Sequence, residues 1–303
     1  MGALKMKKLA FIYIVLACIF WGTSGIFVNY VAPFGISSVQ MTFIRGLVFL
    51  ICLGIFLLLK NRSLFKAKPS NLILYALGGL SFFLTATFYF LSMQLTSIST
   101  AVILMYTAPI FVMIYSVSFM GEAFNFKKGL SVGLMIIGCA LVSGIIGGLK
   151  FDLLGIIIGF LSGLSYSAYN IVTKMQMNKK SHPLTANFYC FLFATCIGFI
   201  FAKPFDIPGM LIINPGVRIP LVILMGISTC VLPYFFYTMG LKEIDAGTAT
   251  SLGILEPVAA TLFSVIIFNE KLDVYSIAGI CLILGAVFLL SRADSEKPKK
   301  GEQ

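Results

Sequence analysis

The segment GILEPVAATLFSVIIFNE (residues 253–270) repeats the pattern of MYTAPIFVMIYSVSFMGE (residues 105–122), and this repetition decides the fold. The residues that mark the first copy and recur in the second are Met93, Leu95, Pro109 and Glu122, which return as Met239, Leu241, Pro257 and Glu270. The offset between the copies is 146 positions at the first pair and 148 at the last. The 303-residue chain is therefore predicted to consist of two similar units, residues 1–147 and 148–303.

Composition places both units in a membrane. Hydrophobic residues make up 59% of the chain, charged residues make up 11%, and the mean hydropathy is +1.01. A soluble domain has roughly 25% charged residues. Ten apolar runs approach the length of about 20 residues that crosses a bilayer core. They lie near residues 9–31, 37–59, 72–93, 98–119, 127–147, 152–174, 184–202, 218–240, 246–268 and 274–291.

Five of these runs fall in each unit, and an odd number has a topological consequence. The second unit must enter the bilayer in the opposite orientation to the first, which gives the inverted repeat found in many transporters. We therefore predict an all-α integral membrane protein with ten transmembrane helices in two inverted five-helix repeats.

The placement of lysine and arginine supports this helix count, because cytoplasmic loops retain basic residues. With the N-terminus inside, 17 of the 22 basic residues lie on the cytoplasmic side of the ten helices. We therefore expect a multi-pass protein of the cytoplasmic membrane with both termini in the cytoplasm. The same distribution explains the net charge of +11 without a nucleic-acid partner, since a nucleic-acid footprint would cluster on one face.

Catalytic and metal chemistry have little support in the sequence. The single histidine, His182, follows Lys179 and Lys180, and the chain has no HExxH motif and no P-loop. The seven cysteines show neither metal-like nor disulfide-like spacing. We expect no enzymatic activity, no cofactor, no metal site and no direct use of ATP.

Several short motifs carry a family resemblance. In the first half they are Phe20-Trp21-Gly22-Thr23-Ser24, Arg45, Tyr106-Thr107-Ala108-Pro109 and Gly121-Glu122. In the second half they are Leu255-Glu256-Pro257-Val258-Ala259, Asn269-Glu270-Lys271-Leu272, Gly279 and Gly285. On these residues the chain resembles the drug/metabolite transporter (DMT) superfamily, in its ten-helix branch built from two EamA repeats. Helix seven has no obvious counterpart of Arg45, so the second half is the more diverged in its first two helices.

The resemblance implies both an architecture and an activity. The architecture is two inverted bundles that enclose a central cavity, lined mainly by helices one, three, four, six, eight and nine. The activity is secondary transport of small organic metabolites, such as amino acids or related solutes, with export as the expected direction and alternating access as the mechanism. The expected partners are a small-molecule substrate and the lipid bilayer. A duplicated chain can form both halves of the cavity, so it can act as a monomer.

Glu256 is the only acidic side chain deep in a predicted span. An ionised group at the centre of a helix costs roughly 2.5 to 3.5 kcal/mol on insertion scales, so such a residue faces a cavity or a partner. Pro257 cannot donate a backbone hydrogen bond and weakens the preceding turn. One hypothesis makes Glu256 a proton-coupling or amine-binding group. The other is a carboxylate permanently bonded to a neighbouring helix.

Arg45 is the only basic side chain well inside a predicted span. It could bind a substrate carboxylate. Alternatively it pairs within the protein, with Glu256 or a helix-end carboxylate as partner, or extends to the membrane interface.

Aromatic and hydroxyl-bearing residues of the predicted helices are the candidates for the cavity lining. Their rings and polar tips suit amino acids, nucleobases or organic cations, and polar tips within a bilayer need partners. Packing between helices, or a place in the aromatic belt at the membrane interface, is the alternative for each residue alone. The candidates are Trp21, Thr23, Ser24, Thr85, Tyr89, Tyr106, Tyr166, Tyr169, Asn170, Tyr234 and Tyr237.

Two symmetric pairs complete the candidate residues. Pro109 and Pro257 are candidate gating kinks, or else static bends. Glu122 and Glu270 occupy equivalent helix ends, and this symmetry favours a structural role in both repeats.

Two other functions stay open at this stage. A channel also uses a repeat and a polar cavity, although no ring of filter residues is visible. A lipid-handling membrane protein is the second alternative, and a lateral opening would favour it.

Overall fold

A computed structural model describes residues 2–96, 98–121, 126–142, 152–269 and 273–295. These residues form helices and irregular connections, and none of them lies in a strand. Five long helices lie in each half of these residues. They are α1 (Gly2–Gly22 and Ser24–Val31), α2 (Ser38–Lys60), α3 (Leu72–Leu95), α4 (Ile98–Met105 and Ala108–Phe119), α5 (Phe126–Val142), α6 (Leu153–Asn178), α7 (Pro183–Phe201), α8 (Pro215–Gly226, Ile227–Val231 and Leu232–Glu243), α9 (Ala246–Leu252 and Leu255–Phe268) and α10 (Val274–Ser295).

These helices confirm the predicted all-α membrane fold. Within the described residues, eight helical stretches are long and apolar enough to cross a membrane, and Val274–Leu290 is a shorter apolar helix. The described part of α5, Phe126–Val142, has 17 residues and carries two lysines in its first turn. Helix α1 extends further toward the N-terminus than predicted, since it begins at Gly2 and not near residue 9.

The packing of the ten helices follows the repeat. Helix α1 packs against α8 and α9, and its counterpart α6 packs against α3 and α4. Helix α2 contacts α8, and in the same way its counterpart α7 contacts α3, the counterpart of α8. The remaining close pairs, α2 with α7, α4 with α9 and α5 with α10, each join a helix to its own counterpart. This arrangement is a pseudo-two-fold relation between the halves.

Helices α4 and α9 are broken at equivalent places, and the symmetric prolines explain why. Pro109 and Pro257 have no N–H to donate to the carbonyl four residues earlier, which weakens the preceding turn. The breaks are turns at residues 106–107 in α4 and 253–254 in α9. Both half-helices therefore end near the middle of the bundle, where α4 packs against α9.

Helix α8 contains a different irregularity, a π-helical segment at Ile227–Val231. Here the backbone N–H of Leu232 donates to the carbonyl of Ile227, five residues earlier. Pro233 follows directly and cannot donate to the carbonyl of Thr229, four residues before it. The carbonyl of Thr229 therefore receives no bond from the residue four positions later.

Helix α1 approaches α9 closely at Gly22. A Cβ atom built on Gly22 would lie 2.7 Å from the Cβ of Ala259 and 2.9 Å from the backbone nitrogen of Ala260. Helix α1 is interrupted at the next residue, Thr23, whose hydroxyl donates to the carbonyl of Phe20 at 2.7 Å. The close approach brings the break in α1 beside the second half of α9.

Two lysines tie together one end of the bundle. Lys128 at the start of α5 forms an ion pair of 3.2 Å with Asp245, the residue before α9. Lys174 near the end of α6 donates to the carbonyls of Leu241 and Ile244 at the end of α8. A cation at a helix C-terminus is favourable because the last carbonyls lack backbone donors.

Candidate functional site

Glu256 lies in the first turn of the second half of α9, directly after the break, and is half-buried. Its Oε2 accepts a hydrogen bond of 2.7 Å from the hydroxyl of Tyr106. Tyr106 lies in the break of α4, so the bond joins the interrupted helices of the two repeats. The hydroxyl satisfies one lone pair of the carboxylate and leaves others for a further partner.

Besides Arg45 of α2, four further groups from four other helices interact electrostatically with Glu256. They are Cys18 of α1, Tyr89 of α3, Tyr166 of α6 and Tyr234 of α8. Together with Tyr106 of α4 and Glu256 of α9, these groups represent helices one, three, four, six, eight and nine. The carboxylate is therefore central to both repeats.

Cys18 contacts the break in α9 directly. Its thiol donates to the carbonyl of Leu252 at 3.3 Å. The backbone N–H of Glu256 turns instead to the carbonyl of Gly253 at 2.9 Å, so the carbonyl of Leu252 is open to the thiol. The sequence predicts only apolar packing for this cysteine, and the repeat offers no signal because Gly163 occupies the equivalent place in α6.

Arg45 lies in α2 and donates from Nη2 to the carbonyl of Thr229 at 2.7 Å. This is the carbonyl to which Pro233, four residues later, cannot donate. Arg45 and Glu256 are electrostatic neighbours but form no ion pair. The Nε atom of Arg45 is buried and has no hydrogen-bond partner within the described residues. A buried donor without an acceptor is costly.

Tyr234 is the centre of an aromatic wall. Its ring centroid lies 5.1 Å from that of Trp21, 5.3 Å from Phe82, 5.7 Å from Tyr169 and 5.0 Å from Phe191, all nearly edge to face. This geometry is the favourable one for aromatic pairs. Phe82 and Phe191 were not predicted, because a phenylalanine in a membrane helix carries no signal that separates a cavity wall from lipid.

Tyr237, Asn170 and Tyr166 form a buried polar network between α8 and α6. The hydroxyl of Tyr237 donates to Oδ1 of Asn170, and Nδ2 of Asn170 donates to the backbone carbonyl of Tyr166 at 2.8 Å. Tyr237 and Asn170 are fully buried. These bonds join α6 and α8 within the second repeat and leave Asn170 little capacity for a substrate.

The predicted lining residues divide by exposure. Trp21, Tyr106, Tyr166, Tyr169, Asn170, Tyr234 and Tyr237 are buried. Thr23, Ser24, Thr85 and Tyr89 are half-buried, as are Arg45 and Glu256. Thr85 donates to the carbonyl of Ser81 at 2.7 Å, one turn earlier in α3. The second set keeps some accessible surface.

The remaining candidates are placed as follows. Pro109 is buried and Pro257 is half-buried, each at the start of the half-helix after a break. Glu122 and Glu270 lie outside the described residues. Within the described ranges, no group of three or more histidine, cysteine, aspartate or glutamate residues is arranged to hold a metal ion.

Comparison with protein families adds independent information on this architecture. The model of the EamA-like transporter family matches the sequence twice, at residues 8–144 and 153–292. The two matches together cover nearly the whole chain.

Individual relatives agree in size and arrangement. A protein of Archaeoglobus fulgidus named an uncharacterized transporter is 28% identical over 281 residues, which are 92% of this chain and 95% of the relative. The uncharacterized transporter YxxF of Bacillus subtilis is 25% identical and covers 94% of this chain and 90% of its own. A crystal structure with a TM-score of 0.77 and 16% identity covers 93% of this chain and 98% of its own, and shares the fold.

Proposed function

The chain belongs to the EamA-like transporter family, and from this premise we propose that it is a secondary transporter that exports small organic metabolites across the cytoplasmic membrane by alternating access. Amino acids or closely related solutes are the proposed substrates. The observation that carries this choice is the arrangement of Arg45 and Glu256, two opposite charges that are neighbours without being paired to each other.

Each end of an amino acid has a partner in this proposal. Arg45 binds the substrate carboxylate, which supplies the acceptor that its buried Nε lacks. Charge-assisted bonds between a guanidinium and a carboxylate are among the stronger hydrogen bonds in proteins. Glu256 binds the substrate ammonium group, while Tyr106 keeps the carboxylate oriented. The aromatic wall around Tyr234 accepts the apolar part of the solute.

Proton exchange follows from the shared use of Glu256. A carboxylate holds either a proton or an ammonium group, so the two compete for the same oxygens. Outward movement of substrate is then coupled to inward movement of a proton, as expected for an intramembrane carboxylate in a transporter.

Alternating access is proposed to depend on the two broken helices. Pro109 and Pro257 mark hinges at equivalent positions, and the half-helices after them can tilt with little loss of backbone bonding. Thr23 provides a third break in α1, beside α9. Inverted repeats exchange conformations around a site near the bilayer midplane, where Glu256 is placed by this scheme.

Both termini are proposed to lie in the cytoplasm. The lysine-tied end of the bundle, with Lys128 and Lys174, is then the cytoplasmic end, in agreement with the distribution of basic residues. Reporter fusions at the C-terminus test this orientation: a reporter active only in the cytoplasm should be active. Activity of an exclusively periplasmic reporter at the same position would contradict it.

The substrate is tested in proteoliposomes that contain the purified protein. Labelled amino acids, nucleosides and organic cations are offered separately, and counterflow is measured against unlabelled solute on the other side. Saturable counterflow of an amino acid supports the proposal. Flux without saturation would favour a channel, and saturable flux of another class would overturn the choice of substrate.

A further inference from the structure

The end of α8 and its connection to α9 are held by two lysines from other helices. The Nζ atom of Lys174 on α6 donates to the carbonyl of Leu241 at 3.0 Å and to the carbonyl of Ile244. Lys128 on α5 forms its ion pair of 3.2 Å with Asp245. These contacts together are called the lysine clasp below. Because Lys128 belongs to the first repeat and Lys174 to the second, the clasp fixes this end of the bundle from both halves.

The lysines of the clasp have uncharged counterparts in the repeat. Helices α1 and α6 match at an offset of 145 positions, so Lys174 corresponds to Asn29. Helices α5 and α10 match at the offset of 148 that also relates the two symmetric prolines, so Lys128 corresponds to Ser276. The connection between α3 and α4, which corresponds to that between α8 and α9, contains no acidic residue. The opposite end of the bundle therefore lacks the charges that form the clasp.

The two ends of the bundle also differ in packing. On α6, Asn170 lies one turn before Lys174 and is fully buried against Tyr237 of α8. Its counterpart on α1 is Gly25, which is exposed, and a Cβ atom built there would meet no atom within 4 Å. Asn29 is exposed as well. Among the described residues, α6 packs against α8 and the first half of α9, whereas α1 makes few contacts with α3 or with the first half of α4.

We propose that the lysine clasp is a gate, and that its release lets the closed end of the bundle open. The gate rests on the alternating access proposed above, in which the two ends open in turn. Opening requires α6 to separate from α8 by the width of a solute, which breaks the bonds of Lys174 to the carbonyls at the end of α8. Water then replaces these carbonyls as the partner of the ammonium group. With both termini in the cytoplasm, this is the gate through which a solute enters for export.

The clasp favours the closed form of this end for a physical reason. The last carbonyls of a helix lack backbone donors, so a cation placed there is stabilising. The net contribution of a hydrogen bond to a charged group corresponds to a change of roughly ten- to a hundredfold in an equilibrium constant. Loss of the ammonium group of Lys174 should therefore shift the population toward the form that is open at this end and closed at the other.

Modification of introduced cysteines in the purified protein in detergent tests the gate without a substrate. Gly25→Cys reports on the open end, and Asn170→Cys, at the equivalent position, reports on the closed end. A charged maleimide reacts with thiols that water can reach, and peptide mass spectrometry measures the rate at each introduced cysteine separately from the native ones. Lys174→Met removes the ammonium group and keeps the length of the side chain. Lys179→Met, at an exposed position beyond the same helix, is the matched control.

With the native lysine present, Gly25→Cys should react at least about tenfold faster than Asn170→Cys. Lys174→Met should raise the rate at Asn170→Cys by about tenfold or more and lower the rate at Gly25→Cys, whereas Lys179→Met should change neither. An unchanged rate at Asn170→Cys in Lys174→Met would overturn the proposal. So would a faster rate there without a slower rate at Gly25→Cys, because that pattern indicates local loosening of α6. A failure to transport amino acids leaves these rates unaffected, so the gate and the proposed substrate are tested separately.

Asn29→Lys tests the gate in the opposite direction and decides the question if Lys174→Met does not give folded protein. The new lysine stands at the position equivalent to Lys174, so it can bond the carbonyls at the end of α3 when α1 closes onto that helix. We expect slower modification of Gly25→Cys and faster modification of Asn170→Cys, because a second clasp favours closure of the end that is open in the structure. In that case, unchanged rates at both reporter positions would overturn the proposal.

Discussion

Tyr106 and Glu256 join the two repeats through a hydrogen bond of 2.7 Å between the tyrosine hydroxyl and the glutamate Oε2. Both residues lie within three positions of a symmetric proline, one in each broken helix. The carboxylate of Glu256 is thereby positioned from the opposite half of the chain. The two functions proposed for Glu256, substrate binding and proton exchange, would both depend on this bond.

Tyr106→Phe should reduce transport without abolishing it. The carboxylate keeps its charge but loses the donor that orients it, and a hydrogen bond to a charged group contributes about 1.5 to 3 kcal/mol. Initial counterflow rates are the measurement, and we expect a decrease of at least about tenfold. Tyr115→Phe is the matched control on the same helix, because the ring of Tyr115 packs on Phe119. Equal rates in both variants would show that the bond has no role in transport.

Arg45→Gln should weaken substrate binding. Loss of the guanidinium removes the proposed partner of the substrate carboxylate, and a cost of about 1.5 to 3 kcal/mol corresponds to a KM roughly ten to one hundred times higher. Arg45→Lys keeps the charge but not the planar donor set, so its KM should lie between those of the wild type and Arg45→Gln. The control is Arg218→Gln, since Arg218 bonds the carbonyl of Met210 and packs over Phe34 outside the site. A wild-type KM in Arg45→Gln would remove Arg45 from the site.

Gly22→Ala should destabilise the protein. The added Cβ would lie 2.7 Å from the Cβ of Ala259, so α1 and α9 would have to separate. Overpacking of this kind costs about 1 to 3 kcal/mol. Gly25→Ala on the same helix has no neighbour within 4 Å and should be neutral or slightly stabilising. Thermal unfolding in detergent measures the stability of both variants. Similar melting temperatures for Gly22→Ala and Gly25→Ala would show that α1 does not keep its close approach to α9 at Gly22.

The effects of Lys128→Gln and Asp245→Asn on thermal stability should be non-additive. Each single change breaks the 3.2 Å ion pair and leaves a charged partner, whereas the double change leaves neither charge. A double-mutant cycle on thermal stability should give a coupling of about 0.5 to 3 kcal/mol. Lys179→Gln, at an exposed position, should show no coupling with Asp245→Asn. Strict additivity for Lys128 and Asp245 would mean that the pair contributes nothing to closure of this end.

The general architecture was predictable from the sequence, because hydrophobicity and repetition are local or periodic signals. Ten apolar runs, the repeat offset and the two symmetric prolines locate the helices and the breaks in α4 and α9. The break at Thr23 had no such signal. It coincides with the close approach of Gly22 to α9, which is a contact between distant parts of the chain.

The partners of the site residues were less predictable than the residues themselves. Arg45 clearly needed an acceptor, but the sequence offered carboxylates as partners and the structure supplies the carbonyl of Thr229. The available signal was Pro233, which cannot bond that carbonyl. Selecting it requires knowledge that α2 packs against α8. The thiol of Cys18 and the rings of Phe82 and Phe191 were missed for the same reason, since their roles depend only on tertiary contacts.

The central claim is that Glu256 couples transport to protons. Uptake driven by a pH gradient, compared between Glu256→Gln and the wild type, tests it most directly. Proteoliposomes with an acidic interior take up a labelled amino acid while the external pH is varied, and His182→Gln serves as the control for the single histidine of the chain. Burial, together with the nearby Lys242, lowers the pKa of His182 below its usual range. The account predicts pH-dependent, gradient-driven uptake in the wild type and in His182→Gln, and loss of both gradient drive and pH dependence in Glu256→Gln. Gradient-driven uptake by Glu256→Gln with an unchanged pH profile would contradict it.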